Sequence, residues 1–115
     1  MRLLNLCKSK IHRATVTCTD IDYVGSITID QDLMDACGLI DGEYVHVWNV
    51  HNGERFETYA IPGPRGSGDI CVNGAAARRC EPGDKVIVVA FVLSDEPVTR
   101  QVVIVDEKNR ITQQL

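Results

Sequence analysis

Two Gly-Ser pairs stand out in this chain, Gly25-Ser26 in DYVGSITID and Gly66-Ser67 in PGPRGSGD. Either could be a simple bend. Either could also be a bond that the protein breaks to make a catalyst, since glycine tolerates strained backbone next to a serine hydroxyl. The pair alone does not separate these readings, so the residues around each must. Lys10 and His12 lie two apart and share a face if their segment is a strand. Arg55, Glu57 and Tyr59 share a face by the same rule, with Thr58 on the other. Taken alone, that run reads as an exposed strand with cross-strand charge pairs. Asn73-Gly74-Ala75-Ala76 is a turn leading to a short helix, whose amides suit a carboxylate or phosphate. GPRGSG lacks the Gly-Lys-Ser/Thr ending of a phosphate loop and reads as a surface loop.

The elements that must carry these residues are mostly strands. KIHRATVT is rich in β-branched residues, and SITID is a short strand. Asp30 offers an N-cap to QDLMDACGL, a short amphipathic helix that Gly38 closes. EYVHVWNV alternates, with Tyr44, His46 and Trp48 opposite Val45 and Val47. HNGE predicts a type I′ hairpin turn into RFETYAI. After the Gly/Pro loop come ICVNG, one or two helical turns in AAARRC, and a turn at EPGDK. VIVVAFVL lacks alternation and reads as a strand buried on both faces. RQVVIVDEKNRITQQL ends the chain with one more strand and a frayed tail. Many short strands with two brief helices, and no βαβ rhythm, predict an all-β closed or nearly closed barrel.

Bulk properties narrow the function classes. With 115 residues the chain is expected to form one domain, residues 1–115. A net charge of -4 and few aromatics argue against a nucleic-acid binder. The longest apolar run is far short of the ~20 residues that span a bilayer, so no membrane partner is expected. The opening MRLLNLCKSK is too short for a secretory signal, so a cytoplasmic protein is expected. Five cysteines show no C-x-x-C pair, and their odd number speaks against a disulfide framework. Cys71 and Cys80 flank a short segment and carry no chemical weight. The histidines lack a metal-like partner set, so no metal site is expected.

Taken in order, KIHRATVT, DYVGSITID, WNVHNGERFETYAI, RGSGDICVNGAAA and GDKVIVVAF resemble the pyruvoyl-dependent aspartate 1-decarboxylase (aspartate alpha-decarboxylase) family. The resemblance runs in continuous register from Met1 to Leu93 and does not extend to the tail, residues 94–115. It implies a double-psi β-barrel and a zymogen cut by autocatalytic cleavage at Gly25-Ser26, with or without a maturation factor. The serine hydroxyl would attack the preceding carbonyl, and β-elimination and hydrolysis would leave a pyruvoyl group at position 26.

The implied cofactor is that pyruvoyl group, derived from Ser26, with neither metal nor pyridoxal phosphate. It would form a Schiff base with L-aspartate and release carbon dioxide and β-alanine, feeding pantothenate and coenzyme A synthesis. The resemblance assigns Tyr59 as proton donor and Thr58 to the oxyanion of self-cleavage. It assigns Arg55 to a substrate carboxylate, with Asn73, Gly74, Ala75, Ala76, Lys10 and His12 at binding positions. It also implies a homotetramer with active sites between subunits. Two other readings stay open on the residues: a non-catalytic β-barrel binding module, and a pyruvoyl decarboxylase for another acidic amino acid.

Overall fold

A computed structural model describes residues 1–115. The first strand, β1 (Leu4–Thr15), buries Ser9, Ile11 and Ala14. Its alternation breaks at a bulge, where Ile11 pairs with Val88 and Ala14 with Val86 and Arg13 takes φ 61°. After β2 (Cys18–Asp20) and β3 (Ile27–Asp30) comes α1 (Gln31–Cys37). Asp30 caps α1 as expected, its side chain accepting from Asp32 N, and Gly38 closes it at φ 78°. The buried Asp30 carboxylate also accepts from Gly66 N at 3.1 Å and Gly68 N at 2.9 Å. The second Gly-Ser pair is thereby held in a loop, two of whose amides donate to one carboxylate.

The remaining strands are β4 (Tyr44–Asn49), β5 (Arg55–Gly63), β6 (Ile70–Asn73), β7 (Lys85–Ser94), β8 (Gln101–Val105) and β9 (Ile111–Gln114). A 3-10 helix, Gly74–Arg79, follows β6. All nine strands form one sheet in the order β2-β6-β3-β5-β4-β7-β1-β8-β9. Three pairings are parallel: β1 with β8, β2 with β6, and β3 with β5. The chain leaving β1 joins distant parts of the sheet, since Val16 N donates to Asp84 O and Thr17 N to Ile70 O. The sheet therefore rolls around one apolar core that includes Ile11, Ile27, Ile29, Val45, Val47, Val72, Val86 and Val88. This mostly β architecture is the expected double-psi β-barrel.

Three expectations are corrected. The β4–β5 turn is not type I′, because Gly53 at φ 77° is left-handed and Asn52 is not. Asn49 reshapes it: its side chain accepts from His51 N at 2.8 Å, and its carbonyl accepts from Gly53 N at 2.9 Å. Such an Asx bond competes with the two-residue turn. The tail is not frayed, because β9 pairs with β8 and Leu115 N donates to Val102 O at 2.8 Å. Cys18 and Cys71 form a disulfide, which cysteine spacing did not indicate. They lie 53 positions apart, and the parallel register of β2 on β6 sets their Cα atoms 4.6 Å apart. Cys80, by contrast, is buried and free.

Candidate active site

The segment around Gly25-Ser26 is held in a conformation that its residue types oppose. Ser26 has φ 88°, in the left-handed region that a side-chain-bearing residue enters at a cost of about 1–3 kcal/mol. Gly25 before it has φ 130°, which only glycine occupies readily. Ser26 is 1% exposed, whereas Val24, two residues earlier, is 93% exposed. The chain thus dives from solvent into the barrel across the Gly25-Ser26 bond.

β6 and the helix after it hold this segment. Asn73 N donates to Ser26 O at 2.9 Å, and Asn73 Nδ2 donates to Ser26 Oγ at 3.3 Å and to Thr28 Oγ1 at 3.2 Å. Gly74, at φ 70°, has no room for a side chain. A Cβ there would lie 2.9 Å from Gly25 Cα and 3.2 Å from Tyr23 O. Beyond it, Ala75 is exposed and Ala76 packs against the core. A cavity of about 430 Å³ is lined by Thr19, Asp20, Tyr23, Thr28 and Asn73 among others, and Asn73 is the lining residue that touches the buried Ser26.

The parallel register pairs Ile27 with Ala60. The pairing begins there, so Tyr59 and Thr58 are the β5 residues immediately before the paired stretch, as Ser26 and Gly25 are the residues immediately before β3. Phe56 and Ala60 are buried on one face of β5, Thr58 is half-buried with them, and Arg55, Glu57 and Tyr59 are exposed on the other. Glu57 is already engaged, accepting from the Tyr44 hydroxyl at 2.6 Å. That bond raises the Tyr44 pKa above its ordinary value.

Lys10 and Arg55 lie elsewhere on the sheet. Arg55 and Tyr59 are four positions apart on β5, roughly 13 Å at strand rise. The Arg55 guanidinium stacks 4.6 Å over the Trp48 ring. Trp48 also lines a cavity of about 410 Å³ with Lys10, Arg100 and Phe91. None of the four ion pairs in the chain uses Lys10, Arg55 or Arg100. Cations without an ion-pair partner thus lie around the Trp48 and Phe91 rings. His12, next to the bulge, has a buried Nδ1 without a hydrogen-bond partner. Burial lowers its pKa first, and the charges of Lys10 and Arg13 lower it further.

One chain thus brings together Ser26, Asn73 and Gly74, whereas the predicted Lys10 and Arg55 both adjoin Trp48 instead. Sequence reasoning did not single out Trp48 or Arg100. The cross-strand pairing of Trp48 with Arg55 was a usable signal for the first, while nothing local marks Arg100.

Comparison with known proteins shows which family the chain resembles. The sequence profile of the aspartate decarboxylase family matches residues 2–112. An aspartate 1-decarboxylase from Heliobacterium modesticaldum is 58% identical over 108 residues, 90% of this chain and 82% of that protein. Its counterpart in Carboxydothermus hydrogenoformans is 57% identical over 112 residues, 94% of this chain and 88% of that protein. The one from Caldicellulosiruptor saccharolyticus is 56% identical over 113 residues, 95% of this chain and 88% of that protein.

Proposed function

Because the chain belongs to the aspartate decarboxylase family, we propose that it converts L-aspartate to β-alanine and carbon dioxide with a pyruvoyl group made by cutting its own Gly25-Ser26 bond. The observation that carries this reading is the buried, left-handed Ser26 clamped between Asn73 and Gly74.

In the cut, Ser26 Oγ attacks the Gly25 carbonyl and the amide becomes an ester. Loss of the Ser26 α-proton then expels Gly25 as a carboxylate, and water replaces the nitrogen of the remaining enamine, which leaves as ammonia. Thr58, two residues before Ala60 where β5 begins to pair with β3, supplies a donor to the oxyanion of the first step, a contribution worth about 3 kcal/mol in such sites. Asn73 orients Oγ through its 3.3 Å contact. Strain at Ser26 raises the energy of the uncut chain and favours the shift.

The pyruvoyl ketone supplies an electrophilic carbon for the substrate amine and a conjugated sink for the electrons left by carbon dioxide. The chain's own residues do the rest. Arg55, held over the Trp48 ring, offers its guanidinium fork to a carboxylate. Lys10 adds a second unpaired cation for a dicarboxylate, beside His12. Tyr59 delivers a proton to the reacting carbon. The backbone of Gly74-Ala75-Ala76 lines the substrate.

Since Arg55 sits at the opposite end of β5 from the stretch that pairs with β3, and Lys10 lies on β1, four strands from β3, a complete site is built between two copies, in a homo-oligomer taken to be a tetramer. The exposed Ile21, Tyr23, Val24, Tyr44 and Tyr59 side chains support such an interface. The β-alanine produced supplies pantothenate and coenzyme A synthesis.

Intact mass spectrometry with an aspartate assay tests the proposal. A fragment ending at Gly25, a second lighter than a serine-started chain by one ammonia, and β-alanine from aspartate are expected. Ser26→Ala stays whole, and Ser67→Ala is cut. An uncut chain that makes no β-alanine after prolonged warming refutes it.

A further inference from the structure

The Cys18–Cys71 disulfide crosses the position of the proposed cut. Cys18 lies upstream of Gly25-Ser26 and Cys71 downstream, so cleavage converts an internal bond into the one covalent link between two fragments. We propose that this disulfide is an inter-fragment tether, which keeps β2 and the Tyr23 wall of the cavity beside position 26 docked once the chain is cut. The inference rests on the self-cleavage reading above.

The upstream fragment, residues 1–25, is held unevenly. β1 sits between β7 and β8 and is not free to leave. Val16 and Thr17 are also tied, to Asp84 and Ile70, and Thr17 Oγ1 accepts from Ile70 N at 3.0 Å. Beyond Thr17 the hold weakens. β2 is three residues long, lies at the end of the sheet and pairs only with β6, through Cys18–Cys71, Thr19–Val72 and Asp20–Asn73. The residues after β2 are mostly exposed. In the uncut chain, continuity into β3 holds this segment at its far end. Cleavage makes Gly25 a free terminus, and termini without anchoring fray.

The segment matters because it forms one side of the site. Thr19, Asp20 and Tyr23 line the cavity with Thr28 and Asn73, and Tyr23 O abuts Gly74. A link at Cys18 replaces the lost chain continuity by holding β2 at high effective concentration against β6. It also fastens β2 to the strand that carries Asn73, so both sides of position 26 move together. Cys18 is exposed and Cys71 half-buried, so both are within reach of small redox partners. The bond forms by thiol–disulfide exchange with a low-molecular-weight disulfide. One thiolate attacks it to give a mixed disulfide, and the second cysteine displaces the remaining half. Two protein thiols are oxidised, and the small disulfide is reduced to two thiols.

The test uses purified full-chain protein, with free thiols alkylated before denaturation and masses read with and without reductant. The expected unreduced product is a single species that has gained one water and lost one ammonia relative to the precursor. Reduction should split it into fragments 1–25 and 26–115. Fragments that separate without reductant, with Cys18 and Cys71 alkylated, overturn the tether and leave the cleavage reading standing. A chain still whole after reduction overturns both. Docking is read by amide exchange over residues 18–25. Cys18→Ser should speed exchange at least tenfold in cut protein and leave it unchanged in the uncut Ser26→Ala background. Equal exchange with and without Cys18 in cut protein refutes the docking role, even where the cross-link forms.

Discussion

Gly74→Ala is the sharpest probe of the clamp on Gly25-Ser26. The new Cβ would lie 2.9 Å from Gly25 Cα, about half an ångström inside the 3.4 Å at which ordinary contact begins. The opposing atoms are backbone, so no side chain can swing away. The substitution also places alanine at φ 70°, which costs about 1 kcal/mol. Relief requires Gly25 to move by about half an ångström. If a 1 Å misplacement costs about a hundredfold in rate, half of that costs roughly tenfold. Self-cleavage should therefore slow by roughly tenfold, measured as the fraction of uncut chain against time by intact mass. Gly83→Ala is the matched control. Gly83 has φ 95° but open space around it, so the backbone penalty is paid without displacing Gly25. Its melting temperature should fall by about 4 °C per kcal/mol, and its cleavage rate should hold. If Gly74→Ala cuts at the parent rate, or Gly83→Ala slows equally, the clamp has no part in cleavage.

Further outcomes follow from the same geometry. Arg55→Lys keeps the charge but loses the fork stacked on Trp48, so kcat/KM for aspartate should fall roughly tenfold to a hundredfold while self-cleavage proceeds. A normal kcat/KM would remove Arg55 from substrate binding. Co-expressing Ser26→Ala with Arg55→Ala chains should yield mixed oligomers with more activity than either alone, because one intact site can form from two copies. Absence of any recovery in verified mixed oligomers would argue that each site belongs to one chain. His12 is depressed below its ordinary 6.5, chiefly by burial, so the unfolded chain binds the extra proton. Its contribution to stability is present above pH 6.5 and lost as pH falls through the lowered value. The urea midpoint should decline over that window in the parent and less in His12→Gln. Parallel curves would show that His12 does not drive the decline. Burial pushes the Cys37 and Cys80 thiols up to about 11, so both should resist alkylation in the folded protein at neutral pH. Rapid labelling of either would contradict their burial.

Local features were legible in the sequence because their causes are local. Asp30 and Gly38 bound α1 through their own capping bonds, and the alternation in β4 follows from a period of two. The ordered motifs also carried the family, since they lie in one continuous register. The turn at Asn49 was misread because its side chain competes with the backbone, which dipeptide type does not register. Pairing was beyond reach for a different reason. Parallel partners such as β2 and β6 are far apart in sequence, and only the rolled sheet selects them. The Cys18–Cys71 bond and the contact of Gly74 with Gly25 both depend on that selection. Sequence by itself determined which residues could do the chemistry and which Gly-Ser pair kept their company. Tertiary structure decided that Ser26 is buried and left-handed, that Arg55 stacks over Trp48 at the start of β5, and that Lys10 lies on β1, four strands from β3 in the sheet. The physical reason is that residue type and period act over a few positions, whereas register and closure join residues many tens of positions apart.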